Sequence, residues 1–202
     1  MLPPQKYFVP HAFIEHIYEV KKSRFIARID YASNREQALR ILEQAKVDYP
    51  DARHYCWAYL IGDPKAPKTI AASDDGEPSG TAGKPILNVL QHKNVGDLIL
   101  VVIRYFGGIK LGAGGLVRAY SSAAQLAMDH LSIKEYNEML ILGVSTDFAT
   151  EQLLRHWLTL HDGRVLLVNY SHHVNLTIEL KCEDLAELKQ YFSNYTDVIF
   201  NE

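Results

Sequence analysis

The sequence is short of most features that would assign a class at once. Only two cysteines, Cys56 and Cys182, occur in 202 residues. They stand far apart with no partner at a ligating or pairing distance, which excludes a disulfide framework and a cysteine metal site. The longest strongly apolar stretch runs from Leu98 to Ile103, far short of the roughly 20 residues a membrane span requires. The opening MLPPQKYFVPHAF has no charged start followed by an apolar run, so no secretory leader and a cytoplasmic location are expected. Excess positive charge is lacking too: 21 Lys+Arg against 24 Asp+Glu give a net charge of −3, unlike a dedicated nucleic-acid module.

What remains is the composition of a globular protein. At 48% hydrophobic and 22% charged residues, disordered, collagenous and coiled-coil readings fall away. Length alone allows one or two domains. Charge and glycine divide the chain unevenly. Residues 1–133 carry 16 Lys+Arg against 13 Asp+Glu and residues 134–202 carry 5 against 11, a +3 segment followed by a −6 segment. Ten of the twelve glycines fall between positions 62 and 115.

In the first segment, 13–20 and 23–31 read as strands joined by the basic turn Lys21-Lys22. Ser33 with Glu36 forms a capping box that opens a helix with the apolar stripe Ala38, Ile41, Leu42, Ala45 and Tyr49, stopped by Pro50. Strands follow at 54–61 and near 68–73, then a short helix at 84–92. Residues 97–105, DLILVVIRY, form a strand that must be covered on both faces. A helix to about 131 places Leu116, Tyr120, Ala124, Ala127 and Leu131 on one face. The second segment reads strand 136–145, helix 147–161, strand 163–170, strand 173–182, helix 184–193, strand 195–200. Asp147 caps its first helix, Leu153, Leu154, Trp157 and Leu158 form the inner face, and Gly163 closes it. The order βαββαβ is the ferredoxin-like pattern, and the expected boundary divides the chain into 1–133 and 134–202.

Two glycine-rich loops are where chemistry can sit. The first, SDDGEPSGTAGKP at 73–85, groups Asp74, Asp75 and Glu77 with Gly80, Thr81 and Lys84. Oxygen ligands in a flexible loop suit Mg²⁺ or Ca²⁺, though not at EF-hand spacing. Asp and Gly also serve turns and helix caps, and the loop equally suits a protein-docking surface. The second, RYFGGIKLGAGGLVR at 104–118, offers Gly107, Gly108, Gly112, Gly114 and Gly115 between a buried strand and a helix start, with Arg104, Tyr105, Lys110 and Arg118 around them. Exposed backbone N–H groups and the helix dipole favour anions there, so contact with phosphate or an RNA backbone is one reading and purely structural glycines another. Neither G-x-x-x-x-G-K-[ST] nor G-x-G-x-x-G fits: Gly112 is followed by Ala113, and Val117 takes the last glycine position. Cys56 beside His54 lacks a third partner for nucleophilic catalysis, and Tyr55, Trp57 and Tyr59 suit either core packing or base stacking.

Lys21-Lys22-Ser23-Arg24-Phe25-Ile26-Ala27, His54-Tyr55-Cys56, SDDGEPSGTAGKPIL at 73–87 and VVIRYFGGIKLGAGGLVRAYS at 101–121 closely resemble the YigZ/Impact family. Arg53 stands where the family pattern leads to threonine. The resemblance implies an α+β chain. Its first domain would be of the ribosomal protein S-five second-domain type, β3-α-β-α with a left-handed crossover, followed by a ferredoxin-like βαββαβ domain of the bacterial members. Similar folds pair in elongation factor G, which contacts the ribosome, and eukaryotic Impact relatives regulate translation. The expected function is therefore a translation-associated regulatory factor that contacts ribosome or RNA without catalysis and without a cofactor. The alternatives are a small-molecule enzyme binding a nucleotide or phosphorylated substrate with Mg²⁺ at Asp74, Asp75 and Glu77, and a protein-docking module.

Overall fold

In the computed structural model, which describes residues 7–201, the chain forms two compact units that divide between Tyr136 and Asn137. The first carries β1 (Phe8–Pro10), β2 (Ile14–Val20), β3 (Ser23–Tyr31), α1 (Arg35–Asp48), β4 (His54–Ile61), β5 (Thr69–Ser73), α2 (Gly83–His92), β6 (Leu98–Tyr105), α3 (Ala113–Asp129) and β7 (Ile133–Glu135). The second carries β8 (Met139–Thr146), α4 (Phe148–Leu160), β9 (Arg164–Tyr170), β10 (Val174–Lys181), a 3-10 turn at Cys182–Asp184, α5 (Leu185–Tyr191) and β11 (Ile199–Asn201).

The first unit is built around β6. Its five-stranded sheet runs β2-β3-β6-β4-β5 with every neighbour antiparallel. Successive residues of β6 point to opposite faces, and both faces are covered. Leu98, Leu100 and Val102 pack with Ile86, Leu90, Tyr120 and Ala124 of α2 and α3. Ile99, Val101 and Ile103 pack with Ala38, Leu42 and Ala45 of α1. That is why the strand is apolar at every position rather than at alternate ones. Because β3 and β4 both run antiparallel to β6, they are parallel to each other, and α1 is the crossover between them. Along the chain, β3, β4 and β5 followed by α2, β6 and α3 give the β3-α-β-α order, with α1 inserted after β3. The β2–β3 turn is the basic pair Lys21-Lys22, both in the left-handed region at φ 46° and 64°, the conformation of a two-residue hairpin.

Two local expectations shift. The cap of α1 is Asn34, whose Oδ1 accepts from Gln37 N at 2.9 Å, while Gln37 Oε1 accepts from Ser33 N and Oγ. The Ser33/Glu36 box is thus displaced by one residue, because Gln37, rather than Glu36, occupies the third helical position. The expected strand 136–145 begins later, at Met139, and the separate segment Ile133–Glu135 before it pairs with Phe8–Pro10, a pairing unforeseen in the sequence.

The second unit forms a sheet β11-β8-β10-β9, antiparallel throughout. Counted within the unit the order is 4-1-3-2, the ferredoxin-like arrangement. One face packs Leu142, Val144, Leu176, Ile178 and Leu180 against Leu154, Trp157 and Leu158 of α4 and Leu188 of α5. Asp147 caps α4, accepting from Thr150 N at 2.6 Å. Leu153, expected inside, is 40% exposed, one position off the buried stripe. The left-handed residue after α4 is Asp162, at φ 54°, and Gly163 follows it to donate to Leu158 O at 2.8 Å. The last strand shortens to Ile199–Asn201.

Replacing Asn34 by alanine should lower unfolding stability by about 1 kcal/mol, whereas Glu36→Ala, which loses only an exposed pair with Arg40, should cost no more than about 0.5 kcal/mol. Urea denaturation checks this, and equal losses in the two variants would restore the Ser33/Glu36 box.

Candidate functional site

The C-terminal end of β6, the N-terminal end of β4 and the start of α3 converge on one edge of the first unit. A cleft of about 630 Å³ opens there, lined by Asp51, Arg53, His54, Glu77, Pro78, Arg104, Tyr105, Phe106, Lys110, Leu111, Gly112, Ala113 and Leu116. The two glycine-rich loops therefore meet.

The joint is a buried ion pair. Glu77 Oε1 accepts from Arg104 Nη1 at 2.5 Å and from the Tyr120 hydroxyl at 2.9 Å. Both charged side chains are withdrawn from water, at 4% and 8% exposure. Behind them, Cys56 Sγ lies 3.3 Å from Tyr120 Oη and 2.9 Å from Asp74 O. Burial pushes the Cys56 thiol up to about 12, offset in part by the Tyr120 hydrogen bond and reinforced by Glu77, Asp75 and Asp74. Burial, followed by Cys56 and Glu77, also pushes the Tyr120 phenol far upward, so it remains a donor to Glu77. The guanidinium of Arg104 lies 5.6 Å from the ring centres of both Phe25 and Phe106. Its buried Nε has no hydrogen-bond partner.

The first loop is organised by its acids, each with a different set of donors. Asp74 accepts from Gly80 N at 2.7 Å, Ala82 N at 2.9 Å and Gly83 N at 2.8 Å, supplying the start of α2 with the cap that Ala82 cannot. Partial burial raises its carboxyl, but those three N–H donors outweigh it and hold the group below its ordinary value. Asp75 accepts from Tyr55 N at 2.7 Å, and His54 Nδ1 donates to Asp75 O at 2.9 Å. Thr81 Oγ1 donates to Pro78 O at 2.6 Å, and Lys84 is exposed on α2 and does not line the cleft. Asp74, Asp75 and Glu77 thus do not converge, and no three His, Cys, Asp or Glu among the described residues are grouped to hold a metal ion.

The second loop is fitted against the Lys21-Lys22 turn. A Cβ on Gly107 would lie 1.9 Å from the carbonyl carbon of Lys22, and Gly107 N donates to Ser23 Oγ at 3.2 Å. Only glycine allows that approach. Gly108 and Gly112 sit at φ 84° and 70°, with Gly112 capping α3 and Gly114 and Gly115 in its first turn. Lys110 and Arg118 are exposed, and Arg118 Nη1 lies 3.7 Å from where a Cβ on Gly114 would stand. Arg24 stacks its guanidinium 4.8 Å over the Tyr105 ring. Of the basic residues singled out in the sequence, Lys110 and Arg118 are at the surface, while Arg104 is buried against Glu77. Tyr120 carries no motif signal because helical spacing assigns it to the core. Arg53, Phe106, Leu111 and Leu116 enter the cleft only through the tertiary fold.

Glu77→Gln leaves Arg104 buried without its counter-charge and should cost about 3–5 kcal/mol of unfolding stability. Tyr120→Phe, which removes one hydrogen bond to that carboxylate and leaves the ion pair in place, should cost less, about 1.5–3 kcal/mol; urea titration ranks the two. Cys56 should resist iodoacetamide at pH 8 in the folded protein and react once urea unfolds the chain. Native-state labelling of Cys56, read by peptide mass, would contradict the buried-thiol network.

Residues 21–128 match the Impact N-terminal domain, and residues 144–197 match a domain of unknown function (DUF1949). An IMPACT family member of Haemophilus influenzae is 35% identical over 189 residues, spanning 90% of this chain and 92% of the relative. The IMPACT family member YigZ of Escherichia coli K12 is 33% identical over 192 residues, spanning 95% and 94%. A crystal structure described as that of a hypothetical protein superposes with a TM-score of 0.72 at 31% identity, over 96% of both chains. The two bacterial relatives named match it along nearly its whole length, and the chain therefore belongs to the Impact family.

Proposed function

We propose that the protein is a translation-associated factor that contacts the backbone of ribosomal or other RNA at the cleft edge, without catalysis. The observation that carries this reading is the meeting of the two glycine-rich loops in one cleft with cations at its rim. Arg53 and Lys110 line it and are exposed. Arg24 covers Tyr105, and the Arg118 guanidinium lies beside Gly114 at the start of α3. Phosphate recognition draws on such convergent side chains together with free backbone N–H groups at a helix start. The role of Arg104 is to position the loops: its charge is already matched by Glu77.

The same meeting of loops supports a second reading, a small-molecule enzyme. Its Mg²⁺ site at Asp74, Asp75 and Glu77 is disfavoured by the separate donors those carboxylates serve. A thermal shift that needs both a nucleotide and Mg²⁺ would favour it over RNA contact. A docking module using Glu77 is disfavoured by the burial of that side chain.

RNA-backbone contact makes affinity fall steeply with salt. In fluorescence-anisotropy titrations with a ribosomal RNA fragment across a salt series, Lys110→Ala and Arg53→Ala should each weaken binding of every sequence alike. Each should reduce the slope of log affinity against log salt by about 1. Absence of any association with ribosomes or RNA at low salt overturns the reading.

A further inference from the structure

We infer that the cleft takes one unpaired nucleotide of the bound RNA, its base on Phe106 and its phosphate on Arg53 and Lys110; this rests on the RNA reading above. Contact with a duplex backbone needs only a charged surface, whereas this edge carries a concavity of about 630 Å³, a size that suits an enclosed small ligand. Its lining combines apolar and charged groups: Phe106, Leu111 and Leu116 offer apolar surface, Arg53 and Lys110 offer positive charge, and Asp51 adds one carboxylate. A nucleotide likewise joins a flat base to an anionic phosphate.

Phe106 is 58% exposed, although a large aromatic ring at the end of a buried strand would ordinarily turn inward; its free face is a stacking platform for any base. Arg53 and Lys110, both exposed, line the same cleft and offer charge to the phosphate, while Arg104, buried and held by Glu77, fixes the end of β6 from which Phe106 projects. A base inside a helix is stacked on both sides and cannot reach this cleft, so the preferred RNA is single-stranded or has a base turned out.

The probes are AMP and UMP, a single-stranded oligoribonucleotide and an RNA duplex of equal charge, titrated against the full chain. AMP and UMP should both bind and compete with the single strand, whereas the corresponding nucleosides and inorganic phosphate should bind at least 10-fold more weakly. Phe106→Ala should weaken the mononucleotides and the single strand at least 10-fold while leaving duplex affinity and the salt slope unchanged, and Phe106→Trp should restore them. Circular dichroism and thermal melting confirm that the variants fold. If RNA binds but single strand and duplex are equivalent, mononucleotides do not compete and Phe106→Ala is silent, the nucleotide pocket is wrong and backbone contact stands. If mononucleotides bind and RNA of neither kind does, the RNA reading fails and with it this inference.

Discussion

A carboxylate and a guanidinium withdrawn from water lose several kcal/mol of hydration apiece unless each finds the other with good geometry. Glu77 and Arg104 meet that condition in only one way. Glu77 belongs to the loop between β5 and α2, and Arg104 to the C-terminal end of the central strand, so their pairing brings the two glycine-rich segments to one place. Tyr120 of α3 completes the shell around the carboxylate, and Cys56 of β4 lies behind it. One buried charge pair thereby ties together β4, β6, α3 and the first loop, and the cleft is the space left over it.

Around this joint the loops are held by main-chain geometry more than by side-chain variety. Asp74 gathers three backbone N–H groups, and Asp75 anchors the loop to the main chain of β4. Gly107 lets the second loop touch the Lys22 carbonyl, a fit that any Cβ would prevent. Cations that the joint does not use are left at the rim. The chain as a whole is acidic, so attraction to an anion at this edge comes from local placement of Arg53 and Lys110 and not from net charge.

Much of the first unit is legible from periodicity. The unbroken apolar run of β6 demands cover on both faces, and the stripe of α1 and the long face of α3 supply it. The ferredoxin-like order of the second unit follows from alternating strand and helix patterns and is present in its sheet. Two errors fall at element ends, where a small shift costs little in pattern: the Asn34 cap and the start of β8 at Met139. Leu153, in the middle of α4, misses the buried stripe by one position. The β1–β7 pair escapes because three-residue strands carry no period to detect.

For the site, the sequence by itself determined that two segments had the flexibility and polar groups for function, and that neither carried a recognisable catalytic set, while a metal ion at Asp74, Asp75 and Glu77 stayed open. It also carried the family resemblance. Only the tertiary structure decided that the segments share one cleft and that Arg104 is an internal counter-ion while Lys110 faces outward. It likewise decided that the three acids of the first loop serve three different sets of donors. The reason is physical: composition and spacing report what a residue can do, but whether a charge is spent inside the protein or offered to a ligand depends on which distant group folding sets beside it.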